Sequence, residues 1–384
     1  EYRSRVQKLV QSAFAGKPED IISQSVAKAL YGEVSPYSAT RLERFAACAF
    51  AHFLQYGMKL TERVEYEFKP MDMGNVMHEA LESFAEEVRK RGMKWTELTE
   101  QERNEIADRC LDNIVADYGN TVLKSSARNE YMIERTRRIL RRTVWALQKQ
   151  LEQGEFQPEG FEVTFGGGRI DRVDIMEDQN KVYVKVIDYK TGNTSFDLVY
   201  LYHGLQLQLM IYLDGALRVE QKKYPDKEII PAGVFYYNIK DPMIQEKIDA
   251  DVEAVSAGLM KELKMNGLVQ ADPELVYRMD SSLGSIPVAF NKDGSFRKNS
   301  SVADRTQFAV LGRYVRTKIE KIRSSILEGD AEVSPYELGK KNACTYCPYM
   351  TVCGFDRRLS GYEFRRLKNF SDEELWKAFD REAE

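Results

Sequence analysis

Apolar and polar positions alternate most regularly between residues 161 and 192. The stretch "FEVTFGGGRIDRVDIM" is followed by a polar turn, "EDQN", and then by "KVYVKVIDYKTG". Period-two alternation bounded by turn residues predicts two or more strands here. The chain before this region follows a helical period. Residues 1–32 read as polar helix. "SATRLERFAACAFAHFLQYG" at 38–57 reads as a strong helix, with Thr40 and Glu43 in capping-box spacing and Gly57 to end it. A further helix is predicted over 74–92, and helical patterns run on to about 152. After the strands come a helix over about 199–219, a strand at 229–239, a helix at 244–266, a short strand "IPVAF" at 286–290, a mobile loop at 291–301 and a long helix from about 303 to 327. The tail, 334–384, ends in a helix opening with Ser371 and Glu374 in capping-box spacing. The pattern predicts an α/β fold, a small mixed sheet flanked by helices. We read a single domain in three sections: helical 1–152, strand-rich core 153–330 and tail 331–384, with the tail returning to the start.

The second strand of the pair ends in an unusual way. Alternation puts Val182, Val184, Val186, Asp188 and Lys190 on one face. Three core residues are followed by an acid and an amine. On the preceding strand Asp171 shares a face with Val173 and Ile175, and Asp174 shares the other with Ile170 and Arg172. If the strands form a hairpin, Asp171 and Asp188 approach each other across it. Two like charges need a cation between them, or one takes up a proton. A hard divalent ion such as Mg²⁺ fits, and Lys190 would stand beside it to hold a phosphate or an attacking water. The alternative is a surface hairpin with an Asp–Lys ion pair. Glu162 is a further candidate acidic ligand, with Glu155 and Glu159 competing for the role.

Composition narrows the classes. The 384 residues are 43% hydrophobic and 30% charged, with a formal net charge of −4. These values are ordinary for a globular chain and neither suggest nor exclude nucleic acid. No apolar run is long enough to span a bilayer, so no membrane partner is expected. No secretory signal opens the sequence, and a cytoplasmic location is the expectation. The first residue is Glu1, which points to a fragment or a processed product. Three histidines argue against a zinc enzyme built on several of them, and five cysteines are too few for a disulfide framework.

Those cysteines are clustered instead. "CTYCPYMTVC" supplies Cys344, Cys347 and Cys353 as C-x2-C-x5-C, one short of a tetrahedral site. The fourth ligand is then Cys48 or Cys110. Four thiolates suit zinc or an iron–sulfur cluster equally, and unbound thiols are the remaining reading. Two basic stretches, "ERTRRILRR" with Arg135, Arg138 and Arg142 on one helix face and "RRLSGYEFRRLK" near the end, could hold phosphates or form salt bridges, the first to Glu130 and Glu134. The final "FSDEELWKAF" is amphipathic and docks on the core or on a partner.

The ordering "GRID…VIDYKTG" resembles the nuclease core of the PD-(D/E)XK superfamily in its RecB-like branch. The resemblance implies that Asp171 and Asp188 bind divalent metal and that Lys190 assists phosphodiester hydrolysis. It assigns a metal-binding role to His78, which fits the G-x-x-x-H pattern with Gly74, although its helix neighbours Leu81 and Phe84 are equally consistent with a buried structural histidine. It also matches Gln208 and Tyr212 of "QLMIY" to a glutamine–tyrosine pair, here at i and i+4. A subset of the family, including the B subunits of AddAB-type helicase–nucleases and Cas4-type exonucleases, carries one upstream cysteine and three downstream. By that resemblance Cys48 joins Cys344, Cys347 and Cys353 around a [4Fe–4S] cluster that closes the fold. Cys48 and Cys344 lie 296 positions apart. A link closing so long a loop would remove denatured-state entropy worth on the order of 5 kcal/mol in an idealised model. The family implies a Mg²⁺-dependent DNA nuclease acting on single-stranded DNA, the 5′-ended strand, delivered by an AddA-like helicase–nuclease partner during repair of duplex ends. A Cas4-like exonuclease and a catalytically silent metal-bound scaffold are the alternatives. No G-x-x-x-x-G-K-[ST] loop is present in this stretch, so no ATP site is expected in it.

Overall fold

The computed structural model describes residues 2–13, 21–32, 38–61, 70–117, 126–166, 168–244 and 251–383. Backbone packing divides the chain into two compact units. One comprises Glu1–Arg63, Leu198–Gln208 and Val310–Glu384. The other comprises Val64–Asp197 and Leu209–Ala309. The sections expected from sequence, 1–152, 153–330 and 331–384, follow changes in composition. The compact units follow packing in space, which groups the tail with the N-terminal helices.

The second unit holds a six-stranded mixed sheet in the order β1-β2-β3-β4-β5-β6. Its strands are β1 (Gln157–Phe165), β2 (Gly168–Asp178), β3 (Lys181–Lys190), β4 (Glu228–Asn238), β5 (Asn266–Gln270) and β6 (Val302–Ala303). β1, β2 and β3 are antiparallel neighbours, and β3 and β4 run parallel. Gln179 and Asn180 turn β2 into β3, with Gln179 at a φ of 32°. Helices Pro70–Lys90, Glu100–Asp117 and Ala127–Glu152 pack on one another beside the sheet. They share its core through residues such as Phe84, Ile106, Leu140 and Leu147, each essentially without solvent exposure.

The two faces of the β2–β3 hairpin differ. One carries Val173, Val182, Val184 and Val186, all buried. The other buries a charged clasp. Arg172 donates from Nη2 to Asp174 Oδ2 at 2.9 Å and contacts Oδ1 through Nε at 2.5 Å. Lys185, paired with Asp174 across the ladder, brings its Nζ to 3.0 Å from Oδ2. The Arg172 guanidinium also lies over the rings of Trp95 and Phe161, at 5.6 and 5.7 Å from their centroids. Burial alone would raise the Asp174 carboxyl, but the two cations hold it below the usual range.

Several elements depart from the sequence reading. The helix expected over 38–57 is Ala39–Ala47, broken at Cys48, which is extended with φ −165°. It resumes as Ala49–His52 and ends in a π-turn at Phe53–Gly57. Its cap is Ser38, which accepts from the Arg41 N–H. Glu43 instead accepts from the backbone of Leu207 and Gln208. The helix expected over 199–219 is Leu198–Tyr202 and then Gln208–Lys223. That expected over 244–266 is Val252–Glu262, and residues 245–250 lie outside those described. "IPVAF" forms no ladder strand. Phe290 bridges to Phe296, the Arg297 N–H donates to the Ala289 carbonyl, and Asn291 Nδ2 donates to Ser295 Oγ, so 291–301, expected as a mobile loop, carries its own bridge and hydrogen bonds. The last helix, Asp372–Ala383, docks within the first unit, burying Leu375 and setting Phe379 against Tyr202 and Tyr314. None of the described helices is long and apolar enough to cross a membrane.

Candidate active site

Strand register lines up three carboxylates. In the β2–β3 ladder Arg172 faces Ile187, and one further step sets Asp171 across from Asp188. In the β1–β2 ladder Phe161 faces Arg172 and Val163 faces Ile170, which sets Glu162 across from Asp171 on the other side. Glu162, Asp171 and Asp188 thus form a row across β1, β2 and β3. Glu162 has a φ of 49°, a left-handed conformation that costs a non-glycine residue about 1–2 kcal/mol. Strain of this kind persists only where the surrounding structure over-determines it.

The row is closed from both ends. His78, on the helix Pro70–Lys90, brings Nδ1 to 3.3 Å from Asp171 Oδ2 and 3.9 Å from Glu162 Oε1. Gly74, one turn earlier, faces Thr191, the residue after Lys190; a Cβ there would stand 3.4 Å from Thr191 Oγ1, an ordinary contact, so the packing does not itself demand glycine. Lys190 Nζ lies 2.6 Å from Asp188 Oδ2 and 5.4 Å from the Tyr236 ring centroid. Asp171 is fixed by the Tyr189 backbone N–H, which donates to Oδ2 at 2.7 Å. Arg169 Nε contacts Glu162 Oε2.

These groups crowd negative charge into a buried space. Burial, reinforced by the Asp171 charge and offset by Lys190, pushes the Asp188 carboxyl up to about 7. Burial and Asp171 likewise push Glu162 up to about 7 against the pull of Arg169. For His78, burial disfavours the imidazolium. The hydrogen bond to Asp171 and the charges of Asp171, Asp188 and Glu162 outweigh it and raise the group. Ligand atoms of His78, Glu162 and Asp171 all lie within 4.8 Å of one another. Among the described residues, the buried Glu162 Oε2 has no hydrogen-bond donor. Hard oxygens with one imidazole nitrogen and an excess of negative charge fit a divalent cation such as Mg²⁺ or Mn²⁺.

Of the residues singled out from sequence, His78, Asp171, Asp188 and Lys190 meet here. The tight ligand group contains Glu162, weighed only against Glu155 and Glu159 in the sequence, while Asp188 stands next to it beside Lys190. Tyr212 packs edge-on against Phe165 at 5.9 Å and lies beside Gly168, the first residue of β2. Gln208 belongs to the first unit, where its N–H binds Glu43.

In that first unit Cys48, Cys344, Cys347 and Cys353 line one apolar cavity with Phe50, Val333, Pro335 and Phe355. The helix break at Cys48 leaves that residue extended between two helical segments. None of the cysteines is in a disulfide. Burial and the three other thiols push Cys344 up to about 12. Four thiols so grouped fit a soft metal or an iron–sulfur centre. Cys110 belongs to the second unit, buried in Glu100–Asp117.

The basic stretch of Ala127–Glu152 is largely paired. Arg137 and Arg141 bind Asp112 and Asp108, and Arg138 binds Asp241 at 2.6 Å. Arg142 lies over Trp145, 5.3 Å from its centroid. Near the end, Arg358 binds Asp356 and Arg365 binds the Ala46 carbonyl.

A mixed sheet whose β2–β3 hairpin presents acid, acid and lysine defines a nuclease core, and the chain belongs to the PD-(D/E)XK nuclease superfamily, whose model matches residues 36–354. Over its whole length it is similar to the B subunits of two ATP-dependent helicase/deoxyribonucleases, that of Lachnoclostridium phytofermentans at 42% identity and that of Thermoanaerobacter sp. strain X514 at 34%. The corresponding protein of Clostridium acetobutylicum is 35% identical over 94% of the chain. The chain spans about a third of each relative's length: 35%, 35% and 33%.

Proposed function

We propose that the chain is a metal-dependent deoxyribonuclease that hydrolyses single-stranded DNA, the 5′-ended strand, supplied by an AddA-like helicase–nuclease partner during processing and recombinational repair of duplex ends. The observation that carries the chemistry is the convergence of Glu162, Asp171 and His78 beside the Asp188–Lys190 pair. The names of the relatives, subunits of ATP-dependent helicase/deoxyribonucleases, support the partner and the substrate.

Glu162, Asp171 and His78 would hold a Mg²⁺ ion, with Asp188 completing the site. Such an ion, when bound, polarises a phosphoryl oxygen and lowers the pKa of water. The remaining work falls to the chain. Tyr189 holds Asp171 in one orientation through its N–H. The Lys190 ammonium, kept over the Tyr236 ring, is placed to bind a phosphate oxygen and to offset charge that grows as the bond to the leaving oxygen breaks. His78 is held against Asp171, so its imidazole stays aimed into the site.

We further propose that Cys48, Cys344, Cys347 and Cys353 bind a [4Fe–4S] cluster with a stapling role. Their shared apolar cavity supports this, and Cys110 takes no part. DNA degradation measured with and without Mg²⁺, for wild type and Asp188→Ala, tests the nuclease reading. Cleavage that persists in the variant or without the ion rejects it.

A further inference from the structure

Two cations touch the carboxylate row. Lys190 sits on Asp188, and Arg169 sits on Glu162. Their settings differ. The Lys190 side chain is 28% exposed, whereas that of Arg169 is 64% exposed above a carboxylate that is only 7% exposed. Arg169 precedes Asp171 by two positions on β2, so it shares that strand's site face and lies roughly 7 Å along it. Its contact with Glu162 is an ion pair and not an aligned hydrogen bond, since Glu162 Oε2 has no hydrogen-bond donor among the described residues. Glu82, one helical turn beyond His78, lies within electrostatic reach of the same guanidinium.

Arg169 therefore occupies, from the solvent side, an oxygen of the group best placed to hold a divalent ion. The guanidinium end of the pair is open to water and singly charged, so a doubly charged ion on Glu162 competes with it directly. The long side chain stands mostly in water and can swing away without disturbing the sheet. Once displaced, it presents a planar fork of donors at the rim of the site, a geometry suited to a phosphodiester.

Building on the nuclease reading, we propose that Arg169 is a substrate-binding residue with two stations: the Glu162 carboxylate while the site lacks its ion, and a backbone phosphate of the DNA strand once the ion is seated. The guanidinium thus shields the carboxylate in the resting protein and grips the strand in the loaded one.

Two measurements on the full chain, as wild type, Arg169→Ala and Arg169→Lys, test this. The first is Mn²⁺ affinity by calorimetry without DNA. The second is affinity for a fluorescent single-stranded oligonucleotide with Ca²⁺ in place of Mg²⁺, over a range of salt. Arg169→Ala should bind Mn²⁺ about two- to fivefold more tightly, because a competing cation has gone. It should bind the oligonucleotide about five- to twentyfold more weakly, and the slope of log K against log salt should shrink by about 0.7, the loss of one phosphate contact. Arg169→Lys should keep the slope while losing part of the affinity. Unchanged or weaker Mn²⁺ binding in Arg169→Ala overturns the first station, and an unchanged slope overturns the second. A wild-type chain that binds no Mn²⁺ and degrades no DNA sinks the nuclease reading together with this one. Normal wild-type behaviour with a silent Arg169→Ala sinks this one alone.

Discussion

The backbone N–H of Tyr189 donates to Asp171 Oδ2 at 2.7 Å, so the strand that carries Asp188 also orients the carboxylate facing it. A main-chain donor that does not depend on the Asp188 side chain thus helps to set the position of Asp171. Substituting Asp188 should therefore leave Asp171 in place. Asp188→Ala is expected to lose Mg²⁺-dependent cleavage, by about a thousandfold or more if the residue completes the metal site. Removing a carboxylate that burial and Asp171 already disfavour should leave the metal-free melting temperature equal or higher. Calorimetry beside the cleavage assay checks both, and a large fall in melting temperature would contradict the second.

Glu162 offers a test in which stability and ion binding move in opposite directions. Its φ of 49° suits glycine better than any side chain. Glu162→Gly should be more stable than Glu162→Ala by about 1 kcal/mol, while both lose at least about tenfold in divalent-ion affinity. Urea unfolding and Mn²⁺ titration of the pair would show it. Equal stability of the two variants would argue against strain at this position.

The pH dependence has a definite sign. Asp188 and Glu162 are raised to about 7, and His78 is raised above its ordinary value. Each group then binds protons more readily folded than unfolded. Their contribution to stability is full at low pH, below the unfolded carboxyl range near 4, and is lost as pH rises through about 7. Metal-free protein should lose stability across this window. Saturating Mg²⁺ should flatten the decline, because the ion replaces the protons. Denaturant midpoints at a series of pH values, with and without Mg²⁺, would measure this. A decline of equal steepness in both conditions would remove the ion from the row.

For the cysteine cavity, Cys347→Ala should lose bound metal and lower the melting temperature, whereas Cys110→Ser should retain the metal. Metal analysis and the absorbance near 400 nm distinguish iron–sulfur from zinc. Full metal content in Cys347→Ala would reject the four-cysteine site.

On the far face of the hairpin, Asp174→Asn would leave Arg172 and Lys185 buried together without their shared counter-ion. A cost of about 3–5 kcal/mol is expected from such a broken buried pair. Denaturant unfolding gives the value directly, and a loss below about 1 kcal/mol would show that the clasp contributes little.

Much of this site was legible because strands enforce period two. Alternation alone placed Asp171 with Val173 and Asp188 with Val186, and the short turn implied the hairpin that opposes them. Glu162 could not be chosen over Glu155 and Glu159, because its inward direction depends on a local left-handed backbone that no glycine or asparagine announces. Arg169 escaped notice for a related reason: an exposed arginine on a strand says nothing until its neighbour is seen to be buried. The helix break at Cys48 was equally hidden, since "FAACAF" contains no proline or glycine. The segment 291–301 reads as loop by its polar composition, and that composition does not announce the pairing of Phe290 with Phe296 or the bonds around Asn291. Local composition reports solubility, and these contacts form between residues whose partners cannot be read from it.

The two-residue turn at Gln179–Asn180 bears on how such a sequence can vary. An added amino acid there is harmless only if the loop absorbs it; if it is drawn into the ladder, β3 shifts against β2 by a single step. Every side chain of β3 would then change sides, sending Asp188 to the face of Trp95 and Phe161 and turning Lys185 toward the carboxylate row. Evolution can lengthen most connections in a protein of this size, but this one is a ruler with no spare graduation.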